Sequence, residues 1–461
     1  VAALLRNSQH RTEWKTGKEW KGQTMNKGKR WITAVAAAAV MGVVPVLSAD
    51  TQEERIARLE AQLAAMQAEL AALKSQAAAS PEPSSADEHA IAEAVDRAVQ
   101  TRMAQQPAIP EWVSNITLYG DFRYRHEWAD DATKSDDRNR HRIQTRIGLT
   151  GKVNEEVDYG FRLASGNAAE PLKEGSPTSN NQDLGNAFSS KNIWLDLAYF
   201  DYHPAAATGL NVLGGKIKNP YYRVGNSDLM FDNDVTPEGI AVSYQTDLAK
   251  SVKVFGSAGG FYVRERKTDA DTSLWGIQSG TTLMLDEQAK TRLTVGAGYY
   301  NYGNVKGQTG LGSDSTEFYG NRSSTDGRYI SDFDLVQGFA EIGLSAGPLP
   351  LRFFGDYMCN TAAAGEDTAY LVGVSLGKTT TPGTWSLSYN YRDVEADALL
   401  GVLAEATFAG GGTNIRGHKI SAAYQVAKNT QFGVSYMPAK RTRNNVTKDY
   451  DVVTVDFTFK F

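Results

Sequence analysis

The chain has 461 residues, enough for two or three ordinary domains, yet its mean hydropathy is low. Beyond the N-terminal region no run approaches the roughly twenty apolar residues of a spanning helix, so a helical membrane protein is excluded. Net charge is -5, and the first 49 residues carry eight Lys and Arg against two Glu, so the remainder is near -11, a balance that argues against nucleic acid as a partner. Tyr (21), Phe (17), Trp (8) and Gly (43) are plentiful, whereas Cys359 is the single cysteine, which rules out an intrachain disulfide and the usual cysteine-based metal sites.

The first organised feature is basic and then apolar. Lys27, Lys29 and Arg30 precede an Ala- and Val-rich core over 31–47, which ends at Leu47-Ser48-Ala49. That pattern predicts a signal peptide over 25–49 with cleavage before Asp50; the core is short for a membrane anchor, which needs about 20 residues. Met25 stands where such peptides start, so 1–24 reads as an upstream extension. Over 50–78, Ile56, Leu59, Leu63, Met66, Leu70 and Leu73 recur at alternating spacings of 3 and 4, the a/d seam of a coiled coil. The run spans about three heptads and is marginal alone; a single amphipathic helix lying on another surface is the alternative. Residues 79–114 form a linker, broken by Ser80-Pro81-Glu82-Pro83, with a short helix over 91–103 and then Pro107 and Pro110.

From residue 115 the period changes to two. Ile116, Leu118, Phe122 and Tyr124 alternate with Thr117, Tyr119, Asp121, Arg123 and Arg125, which places apolar and polar side chains on opposite faces. The pattern recurs over 142–151, 157–165, 192–202, 210–216, 239–244, 252–262, 273–285, 292–302, 334–345, 351–358, 369–377, 384–393, 418–426, 431–437 and 451–461. About sixteen strands result, close to the length that crosses a bilayer at a tilt. Connections alternate too: short at 152–156, 203–209, 245–251, 286–291, 347–350, 378–383 and 427–430, and mostly longer between them, as at 166–191, 217–238, 303–331 and 394–417. Short turns on one rim and long loops on the other predict an all-β transmembrane antiparallel barrel over 115–461; a soluble sandwich or propeller gives no reason for that two-beat rhythm. In the last strand Val453, Val455, Phe457, Phe459 and Phe461 share one face, suited to lipid, and Thr454, Asp456, Thr458 and Lys460 the other, suited to water.

Signal peptide, heptad seam, proline-rich linker, sixteen strands and the aromatic alternation ending in Phe461 together resemble the bacterial putative-porin family of Gram-negative outer membranes. The stretch 228–239, with Asp228, Phe231, Asp232, Asn233, Asp234, Pro237 and Glu238, is similar to that family's loop before the sixth strand. The resemblance implies passive diffusion of small hydrophilic solutes and ions, a multi-pass barrel in outer-membrane lipid and a periplasmic coiled coil.

Alternation turns Arg123, Arg125, Arg142, Arg146 and Arg162 to one side of the first three strands, a basic wall of the expected lumen. Loop 217–238 is the third long connection; folded inward, as third loops commonly are in porins, it would bring Asp228, Asp232, Asp234 and Glu238 toward that wall. Acid facing base across a narrow eyelet orders water and favours polar solutes. The alternatives are solvated lumen charges, or a loop that stays outside. No nucleophile elbow, phosphate-binding glycine loop or His-Glu-x-x-His occurs, so neither an enzyme nor a cofactor is expected. His126 with His141 is too few ligands for a metal, and Asp232-Asn233-Asp234 lacks the rest of a calcium loop. A general diffusion porin leads. A solute-selective channel, which for anions the arginine wall would serve, an envelope-lipid enzyme with no assignable nucleophile, and a tether contacting the cell wall through the coiled coil are the alternatives. Porin barrels commonly associate in threes, so a homotrimer is expected.

Overall fold

A computed structural model describes residues 115–169, 173–288 and 290–461. The signal peptide, the linker and the seam residues Ile56, Leu59, Leu63, Met66, Leu70 and Leu73 lie outside the described residues. Sixteen long strands form one antiparallel sheet: β1 (Ile116–Asp131), β2 (Arg138–Asn154), β3 (Val157–Ser165), β4 (Ile193–Tyr202), β5 (Leu210–Lys216), β6 (Glu238–Ala249), β7 (Val252–Arg264) and β8 (Thr272–Asp286). The second half comprises β9 (Thr291–Gly303), β10 (Phe333–Ala346), β11 (Leu349–Asn360), β12 (Thr368–Gly377), β13 (Trp385–Val394), β14 (Ile415–Ala427), β15 (Thr430–Arg443) and β16 (Val446–Lys460). Each pairs with its neighbour in sequence, and β1 also pairs with β16, Tyr124 opposite Phe457. The sheet is therefore a closed barrel, which leaves no strand edge unsatisfied in lipid.

At the seam of closure, Gly120 and Phe461 exchange two backbone hydrogen bonds of 3.0 Å. A Cβ at Gly120 would meet the Phe461 ring at 2.5 Å, so only glycine lets that ring lie against β1. Outward positions carry exposed apolar side chains, among them Leu118, Ile147, Ile240, Trp275, Phe353 and Leu387, as a lipid-facing wall requires.

Every segment expected from alternation coincides with a strand, and several run further. β1 continues to Asp131 because Glu127 and Ala129 keep the inward alternation, and β15 continues to Arg443 through Pro438. One rim carries the short turns 155–156, 203–209, 250–251, 287–290, 347–348, 378–384 and 428–429. From the other rim, loops 217–237, 304–332 and 395–414 fold into the barrel, so the apolar core lies within its mouth. Tyr221 packs edge-on to Tyr300 at 5.0 Å, Phe318 edge-on to Tyr329 at 4.9 Å, and the Arg392 guanidinium sits 4.6 Å from the Phe408 ring.

Candidate functional site: the lumen wall and its inserted loops

The register sets the wall. Asp121 lies opposite Arg146, Arg123 opposite Gln144 and Arg125 opposite Arg142, and on the other flank Arg125 faces Asp456. Five guanidiniums so close together repel unless carboxylates intervene. Arg125 makes two 2.7 Å hydrogen bonds to Asp456. Arg142 bonds Glu127 at 3.0 Å and Asp183 at 2.7 Å, Arg146 bonds Asp121 at 2.9 Å, and Arg162 bonds Asp196 at 2.5 Å. Arg140 joins Glu127 and Asp183. Arg123 differs: it donates to the Asn181 side chain at 2.7 Å, its Nε has no partner, and no described carboxylate lies within ion-pair distance. The wall is thus an alternating ion-pair network. Arg142, only 7% exposed, is covered by the Gln182–Asp183 segment, which pairs with β2.

Loop 217–237 crosses the lumen. Gly225, at φ +57°, lies flat on the Phe354 ring, where a Cβ would meet ring carbons at 2.3 Å, and its N–H donates to Glu341 at 2.7 Å. The Tyr222 N–H donates to Gln278 at 2.7 Å, and Gln278 continues through Gln337 to Asp356. The loop's acids separate. Asp234 turns to the wall, 3.4 Å from Arg146, and accepts from the Asn180 N–H at 2.9 Å. Asp228 goes to the opposite wall, 2.8 Å from Arg392 and 3.3 Å from Lys419, cations that it shares with Glu405. Burial acts to raise the Asp228 carboxyl, but Arg392 and Lys419 outweigh it and hold it below the usual carboxylate range. Asp232 accepts the N–H groups of Asp234 at 2.8 Å and Ala406 at 2.9 Å, and burial, with Asp234 beside it, pushes its carboxyl up to about 8.

Glu238 is a correction. It is the first residue of β6, on the outward face with Ile240 and Val242, exposed and 2.7 Å from Lys216, so strand alternation takes it out of the lumen. His126 and His141 are directly opposed partners on the outer face of the first hairpin, with ring centroids 4.7 Å apart.

Two cavities flank the inserted loop. One, of about 320 Å³, lies between Arg123, Arg125 and Arg146 on the wall, with Asp234 joined to Arg146, and Asp228 and Glu405 opposite; the other, of about 780 Å³, opens toward the short-turn rim. They share Asp228, Asn233 and Lys419. A polar constriction inside a closed barrel with a lipid-facing outer wall is the architecture of a pore. A family described as "Putative porin" matches residues 128–334 and 313–461. This chain belongs to that family.

The barrel is accordingly an outer-membrane channel for passive diffusion. Among solved structures, Salmonella typhi OmpF in complex with daunomycin is 13% identical, with 75% of this chain and 98% of that chain covered and a TM-score of 0.43. A mutant of Rh. blastica porin is also 13% identical, with 75% and 100% covered and a TM-score of 0.43. A search of curated proteins returns no match.

Alternation places Asp121 and Asp456 on the wet face of this porin without pairing them to arginines, and it misses Glu127, Asp183 and Asp196. Asp121 and Glu127 share the inward face with Arg123 and Arg125, a signal legible in β1 alone. Asp183 and Asp196 reach the wall through a loop and a β-bulge, which no periodicity announces.

Proposed function

We propose that solutes pass the constriction between the Arg123, Arg125 and Arg146 wall and the Asp228 and Glu405 side, and that separated charge there favours small hydrophilic solutes and ions over apolar ones. The observation that carries this reading is that the acids facing that wall belong to the inserted loops, Asp228 on 217–237 and Glu405 on 395–414. The lumen carries permeation rather than catalysis.

Export and assembly complete the proposal. Residues 25–49 target the chain for secretion, 50–78 form a periplasmic coiled coil with cell-wall contact as a subsidiary role, and 79–114 link it to one barrel of a homotrimer. Single-channel recording of the purified protein in planar bilayers tests the permeation reading. Stepwise, ohmic conductance with a reversal potential that depends on the salt gradient is expected; a protein that inserts without conducting overturns it.

A further inference from the structure

The larger cavity carries a row of side chains that the permeation reading does not use. Strand register places Arg292 of β9 opposite Gly343 of β10, and Gly343 opposite Arg352 of β11. The same row continues from Arg352 to Ser375 of β12, Ser388 of β13, Ser421 of β14 and Ser435 of β15. All lie on inward positions, and the first six line one cavity of about 780 Å³. With strands about 4.8 Å apart, the two arginines stand roughly 10 Å apart across the sheet, and the serines extend the row by about 19 Å.

The charge there is one-sided. Lys290, Arg292, Arg352 and Lys378 line the cavity, and Asp228, its one lining carboxylate among the described residues, is engaged by Arg392 and Lys419. Lys290, Arg292 and Lys378 have no carboxylate within ion-pair distance among the described residues, and Arg352 approaches only Glu341, at 3.7 Å. The stem of Arg292 lies 3.2 Å from where a Cβ would stand on Gly343, so glycine between the arginines leaves room for the guanidinium to lie across the row. Beyond them the surface is hydroxyl: Ser375 accepts from Arg352 at 3.3 Å, and Ser421 and Ser435 bond each other at 2.8 Å. A guanidinium pair suits a planar or tetrahedral oxyanion, and serine hydroxyls, which donate and accept, suit the hydroxyls of a polyol.

We propose that this row binds a small anionic polyol, its carboxylate or phosphate group held by Arg292 and Arg352 and its hydroxylated body lying along Ser375, Ser388 and Ser421, as a station on the permeation path. The station rests on the porin reading, because only a conducting lumen makes it a waypoint. The guanidinium pair selects anions, and the serine row selects among anions for hydroxylated ones.

The test uses the full-length mature protein. In planar bilayers under potassium chloride, D-gluconate and glucose 6-phosphate should reduce channel current in a saturable way. Glucose and inorganic phosphate should need about tenfold more to do so, since each lacks one half of the recognition. Gluconate against glucose 6-phosphate tells a carboxylate head from a phosphate head. R292Q/R352Q should raise the half-blocking concentration of both anions about tenfold, and S388A/S421A should erase the preference over inorganic phosphate, while K134Q, on an exposed turn of the opposite rim, leaves block unchanged. Heat-modifiable gel mobility establishes that each variant is a folded barrel, and calorimetric titration of the same anions into detergent-solubilised protein reads binding without conductance. Binding without current leaves the site standing and overturns the channel. Current with equal block by glucose, or block indifferent to R292Q/R352Q, overturns the site.

Discussion

An arginine on a barrel wall is either hydrated or held by carboxylates, and the two respond differently to substitution. Arg142 is held: buried itself, it balances the buried Glu127 and the partly exposed Asp183. Arg142→Gln should therefore cost on the order of 3 kcal/mol of stability, read in urea unfolding, and leave ion preference nearly unaltered. Arg123 lacks a carboxylate partner and lines the constriction, so Arg123→Gln should fold normally and shift the reversal potential toward cations at low salt. The opposite pairing of outcomes would show that the wall is misassigned. Alternation in β1 and β2 makes both arginines legible as inward, but not the difference between them. That difference arises from Asp183, fifty residues from β1, arriving on a loop. A titration adds a second residue-scale consequence. Asp232 has its folded pKa raised, so its neutral form contributes stability that is fully present below the ordinary aspartate value near 4 and is lost as pH rises toward about 8. The junction of loops 217–237 and 395–414 should exchange backbone hydrogen faster at pH 9 than at pH 6, after correction for intrinsic rate. Asp232→Asn should abolish the difference.

At the scale of the element, orientation is the testable quantity. In β16, Val453, Val455, Phe457 and Phe459 face outward, whereas Thr454, Asp456 and Thr458 face the lumen, where Asp456 meets Arg125. Phe457→Asp places a charge on the lipid face and should cost about 2 kcal/mol or more, impairing assembly, whereas Thr458→Asp should be tolerated. Heat-modifiable mobility after refolding into detergent compares the two; equal folding yields would reverse the strand. All sixteen strands were legible because a period of two survives in each, although the run of β15 through Pro438 was not. The loops were not. Loop 217–237 enters the lumen because Ile217, Tyr221, Val224, Leu229, Met230 and Phe231 bury apolar surface inside the mouth, while Asp228 reaches Arg392. In sequence those residues read as an irregular connection, and a composition without periodicity does not say which surface it covers. Glu238 shows the same limit from the other side: it belongs to the strand, whose pleat overrides its place in an acidic run.

At the scale of the whole molecule the barrel closes on itself through β1 and β16 and needs no partner to satisfy its backbone. Any association therefore rests on side chains, between barrel walls or in the segment that precedes the barrel. Ile56, Leu59, Leu63, Met66, Leu70 and Leu73 offer an apolar seam that water disfavours unless other helices cover it. A seam of about three heptads is marginal by itself. In the proposed homotrimer each helix would meet its partners at a high effective concentration, which removes much of the association cost in advance. Leu63→Glu with Leu70→Glu should weaken the helical assembly, lowering the mass measured by light scattering in mild detergent or its stability to dilution, while the barrels still fold and conduct with unchanged unit steps. The separation of the two readouts decides the matter. A wild-type protein that is strictly monomeric, or a double variant that no longer conducts, would show that the seam serves the barrel itself rather than its assembly.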